Sequence, residues 1–93
     1  MSNPLQQFIL DYLNGDNCVG VSVIDSDFHD AVAAKFPRLK REEKNWGCQP
    51  VPAAMTELRK LAKGLYVLRG RVSLGSNWQP GFPRSVITYY VVK

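Results

Sequence analysis

Near the N-terminus, apolar side chains recur at the spacing of one helical face. Leu5, Phe8, Ile9, Tyr12 and Leu13 form the stripe, and Gln6, Gln7, Asp11 and Asn14 fill the other side. Asn3 stands where an N-cap belongs and Pro4 at the first helical position, while Gly15 suits the C-terminal cap. The pattern predicts a helix over residues 3–14.

The period then shortens. In CVGVSVI, residues 18–24, Val19, Val21 and Val23 fall on alternate positions and predict a short strand. Asp25 or Ser26 caps a second helix over 26–36. Its apolar positions are Phe28, Ala31, Val32, the stem of Lys35 and Phe36, and Pro37 stops it because the residue before a proline disfavours the helical region. PRLKREEKNWGCQ, residues 37–49, is a polar connector, long for a link between helices.

The third helix is predicted over 51–63, with Pro52 near its start and Gly64 just past its end. Val51, Ala54, Met55, Leu58, Leu61, Ala62 and Leu65 make its buried stripe. Ala53, Thr56, Glu57, Lys60 and Lys63 face outward, with Arg59 at the margin. In YVLRGRVSL, residues 66–74, Val67, Arg69, Arg71 and Ser73 form a polar face against Tyr66, Leu68, Gly70, Val72 and Leu74. SVITYYVVK, residues 85–93, is β-branched and aromatic. The turn-rich GSNWQPGFPR, residues 75–84, joins the two into a hairpin with a long tip. The fold class is α+β, one domain over residues 1–93.

Composition narrows the function. The hydrophobic share of 45% over 93 residues supports a core that needs no disulfide or metal. A formal charge of +4 favours an anionic partner. No apolar run approaches the roughly 20 residues of a membrane span. The N-terminus lacks the basic start and cleavage site of an export signal, which places the chain in the cytoplasm with Cys18 and Cys48 reduced. Those cysteines and the single His29 are too few and badly spaced for a closed zinc site. Asp25, Asp27, His29 and Asp30 resemble a metal or acid/base site at first glance, but Asp25 to Asp27 are helix-start chemistry and the spacing matches no calcium loop, while Cys48 has no histidine in a local signature. The expectation is a protein that is not an enzyme and uses no cofactor.

Helix 3–14, strand 18–24, helices 26–36 and 51–63, and hairpin 66–93 follow an order that resembles the winged-helix variant of the helix-turn-helix family. The resemblance covers nearly the whole chain. The long link between the second and third helices departs from the tight turn usual there. The resemblance implies a third helix in the major groove and a hairpin tip, the wing, on a groove or the backbone. It therefore implies double-stranded DNA as partner and regulation of transcription or replication as role. Thr56 would meet a base edge, and Arg59, Lys60 and Lys63 would meet guanine or phosphate. Arg84 would reach a minor groove or phosphate, with Arg69 and Arg71 adding charge. Trp78, with Phe82, either wedges against sugar or folds back onto the hairpin. Arg38, Lys40, Arg41 and Lys44 read as a solvated run, with phosphate contact as the alternative, and Trp46 as an anchor for the connector. The competing class is a protein-interaction module or inhibitor that takes an acidic protein on its basic face or wing. Strand 85–93, apolar on both faces, would suit a homodimer.

Overall fold

Helix α1, Pro4–Leu13, begins at the predicted cap in the computed structural model, which describes residues 3–44, 49–74 and 83–92. The Asn3 side chain accepts a 2.7 Å hydrogen bond from the Gln6 N–H, which satisfies an otherwise orphaned donor of the first turn. At the other end Asn14, not Gly15, is the cap. Its backbone N–H and its side-chain amide both reach Leu10 O, at 3.0 and 2.8 Å.

Helix α2 spans Ser26–Lys35. Its N-cap, Asp25, makes no cap bond. Its carboxylate instead accepts from the Ser22 N–H and hydroxyl, and the Asp25 N–H returns to Ser22 O. This turn corrects the strand expected over 18–24. Val21 forms a β-bridge, through two 2.8 Å backbone bonds with Tyr89. Val19 is 94% exposed, and Val23 lies in the turn. The valine alternation was a local signal, and the Asp25 side chain outcompetes the ladder for the Ser22 donors. Gly20 permits the close approach, since a Cβ there would sit 2.6 Å from Thr88 Cγ2.

Helix α3, Pro52–Lys63, packs along α1. Val51, Ala54, Leu58 and Leu61 are buried as the spacing predicts, against Ile9, Leu13, Phe28 and Val32. Edge-to-face ring pairs join α1 to α2: Tyr12 to Phe28 at 5.2 Å and Phe8 to Phe36 at 5.7 Å. The connector is tied back at both ends. Arg41 donates to Asp30 and to Gln49 O, and the Glu42 N–H donates to Pro50 O.

Strands β1, Leu68–Ser73, and β2, Ser85–Tyr90, pair antiparallel from Leu68↔Tyr90 to Ser73↔Ser85. Both are shorter than the expected 66–74 and 85–93. The Val21 bridge lies on the far edge of β2, so β1 is an outer strand. Arg69 and Arg71 stand opposite Tyr89 and Ile87, hence on the same face as these two residues. Tyr89 is buried and Ile87 packs on the core, so the expected polar face is the one turned towards the helices. That face is covered at Val67 and open farther along the hairpin, where it carries arginine.

Candidate nucleic-acid interface

Three of the predicted contact residues, Arg59, Lys60 and Lys63, lie on the exposed C-terminal half of α3. The N-terminal half is less accessible. Ala53 and Met55 pack against the core, and Thr56 is half-buried, its hydroxyl accepting from Arg59 Nη2 at 3.3 Å. The open part of α3 is thus basic rather than small and polar.

Glu57 was expected outward and is instead 8% exposed. Asn3 Nδ2 and Gln6 Nε2 donate to its Oε1 at 3.1 and 2.8 Å, and Lys60 Nζ sits 3.3 Å from Oε2. Burial pushes this carboxyl up, but the hydrogen bonds from Asn3, Gln6 and Lys60 and the lysine charge outweigh it and hold its pKa below the ordinary value. Its charge is spent on the α1–α3 contact, so it opposes an approaching anion weakly. No periodicity could have found this, because the donors lie more than fifty positions away in the chain.

On the hairpin, Arg69, Arg71 and Arg84 are exposed. Arg71 Nη1 donates to Ser85 Oγ at 3.0 Å, which brings it beside the Arg84–Ser85 start of β2. The structure therefore gathers Arg59, Lys60 and Lys63 on one element and Arg69, Arg71 and Arg84 on another, joined by the turn at 64–67. Trp78, Phe82, Trp46 and Cys48 lie outside the described residues.

That turn departs from expectation. Leu65, placed in the buried stripe, is 82% exposed and has φ 65°, in the left-handed region. Leu65 N–H bonds to Ala62 O and Tyr66 N–H to Leu61 O, at 3.1 and 2.9 Å. This is the paired helix-ending pattern in which a glycine normally takes the left-handed place. Gly64 stands one residue earlier, at φ −84°. Its role is close approach, since a Cβ there would lie 3.0 Å from Tyr66 Cδ2 and Cε2.

Charge is segregated along the chain. Arg59, Lys60, Lys63, Arg69, Arg71, Arg84 and Lys93 follow Glu57, and no Asp or Glu does. The opposite sign gathers elsewhere: Asp11, Asp16, Asp25 and Asp27 line an open hollow with Tyr12 and Phe28. Burial, and after it the electrostatic influence of Cys18, Asp27 and Asp25, raises the Tyr12 phenol above its ordinary value.

The residues Asp25, Asp27, His29 and Asp30 do not form one constellation. Asp30 pairs with Arg41 at 2.7 Å, Asp25 holds Ser22, and His29 is fully buried. His29 Nδ1 accepts from the Val51 N–H at 3.0 Å, so Nε2 carries the hydrogen and donates to Ser22 O at 3.1 Å. Burial lowers its pKa, and Arg41 lowers it further against the raising effects of the Ser22 bond, Asp25 and Asp30.

No family model, curated protein or solved structure matches the chain. Among the described residues, no helix is long and apolar enough to cross a membrane.

Proposed function

We propose that the chain is a winged-helix protein that binds double-stranded DNA and regulates transcription or replication. The one-signed charge after Glu57, displayed on the open half of α3 and on the hairpin, carries this reading. A duplex is a dense array of phosphates, and among the described residues only Lys60 of these cations has a carboxylate beside it, that of Glu57, so the rest are open to displace its counterions. Charge asymmetry between two parts of one chain points the same way. The order α1, Val21 bridge, α2, α3, β1, β2 supports the winged-helix layout. Because Thr56 is half-buried, affinity rests mainly on Arg59, Lys60 and Lys63 at the end of α3, with Arg69, Arg71 and Arg84 on the wing.

The test is a titration of a mixed-sequence duplex at increasing salt. The logarithm of the association constant should fall linearly with the logarithm of salt, with a slope of about −0.9 per phosphate neutralised. Folded protein that binds no DNA at low salt would overturn the reading. A second reading, a protein partner, draws on the half-exposed apolar Leu68 and Val72 on the outer face of β1. It predicts that Leu68→Ser abolishes partner binding and leaves DNA affinity unchanged.

A further inference from the structure

We infer that the Leu65–Tyr66 turn is an apolar wedge, and that the preferred ligand is duplex DNA with a base step that is already easy to unstack, such as a mismatch. The inference rests on the DNA reading above. Leu65 occupies a backbone region that L-residues other than glycine visit at a cost, and burial does not offset it, since the side chain is 82% exposed. The helix-ending hydrogen bonds do not require leucine, because a glycine would make both. The neighbouring Tyr66 is 69% exposed, yet its ring has a seat on Gly64, where a Cβ would stand 3.0 Å away. The turn thus projects two large side chains with apolar surface from the end of α3, the Tyr66 ring lying against Gly64.

The surroundings select the partner. Lys60 and Lys63 precede the turn and Arg69 and Arg71 follow it, with no carboxylate in the chain beyond Glu57. An apolar protein surface would be poorly served by such neighbours, whereas a nucleic acid offers phosphates for the cations and base faces for the apolar pair. Proteins that bend duplexes insert leucine and other apolar side chains between base steps while cations hold the backbone, and the insertion costs least where stacking is already weak.

The experiment measures binding of parent, Leu65→Gly and Tyr66→Ala to two duplexes that differ by one central mismatch, across a salt series. The parent should favour the mismatched duplex by about tenfold or more, since unstacking a matched step costs a few kcal/mol and each 1.4 kcal/mol is a factor of ten. Leu65→Gly should raise the melting temperature, because glycine is relaxed at this φ. It should also reduce the mismatch preference and leave the salt slope unchanged. Tyr66→Ala should likewise reduce the preference without altering the slope. A parent that binds both duplexes equally, with the usual salt dependence, overturns the wedge and leaves the DNA reading intact. So does an undiminished preference in both variants. A parent that binds neither duplex at low salt overturns the DNA reading itself, and the wedge with it.

Discussion

His29 is held by two backbone groups that make opposite demands. Ser22 O needs a hydrogen from Nε2, and the Val51 N–H needs the lone pair of Nδ1, so only the neutral ring satisfies both. Protonation would lose the bond to Val51, the N-cap of a helix that has no side-chain cap bond, and would bury a charge. The unfolded imidazole titrates near 6.5, and the folded one lies lower. The unfolded state therefore binds more protons in the interval between them, and stability falls as pH falls through it. Unfolding free energy from urea titrations should be highest above about pH 7 and decline as pH falls below the unfolded value of about 6.5. His29→Gln should lose roughly 1–3 kcal/mol at pH 7.5 and show little slope over the same range. A parent curve that is flat there would contradict the neutral bridge. Glu57 presents the complementary case. Glu57→Ala strips Asn3 and Gln6 of their acceptor and should cost about 1–3 kcal/mol in the same assay.

Helix α3 has two faces that should fail differently. Leu58 is fully buried, and Leu58→Ala should cost about 2–5 kcal/mol. Lys63 is exposed, and Lys63→Ala should change stability by about 0.5 kcal/mol or less while reducing the DNA salt slope by about one phosphate contact. Its C-terminal cap carries a third outcome. Leu65→Gly should stabilise by roughly 0.5–1 kcal/mol, since relief of the left-handed penalty exceeds the entropy that glycine loses on folding. Denaturant unfolding of the three variants separates the effects. On the outer strand β1, Arg69 and Arg71 also discourage edge-to-edge pairing with a second copy.

At the scale of the molecule, the charge is segregated: carboxylates line the hollow beside α1 and α2, while the end of α3 and the hairpin carry cations. On the proposed DNA reading, the cations supply sequence-independent affinity. The joint variant Arg69→Ala/Arg71→Ala should weaken binding to all duplexes alike and flatten the salt slope by about two phosphate contacts, because phosphate contacts carry no sequence information. Melting temperatures with and without reductant should coincide, because the buried cluster from α1, α2, α3 and the sheet is large enough to hold the fold by itself.

The sequence by itself determined the three helices and the hairpin within one to three residues at most ends, because caps, prolines and apolar periods act over three or four neighbours. It also determined which cations were available to α3 and the hairpin. One departure is local: the 18–24 segment keeps a single β-bridge, at Val21, because Asp25, three residues on, takes the Ser22 donors. Three features were decided only by tertiary structure. Glu57 turns inward because Asn3 and Gln6 of the α1 end meet it there. Val67 is buried and Arg71 exposed on one face because the helices cover only part of the hairpin's length. Leu65 leaves the stripe because the chain must reverse left-handedly to enter β1, and a period of 3.6 carries no information about where a helix stops being a helix. In these three the deciding partner is a long-range neighbour or a change of chain direction, and the spacing of apolar residues records neither.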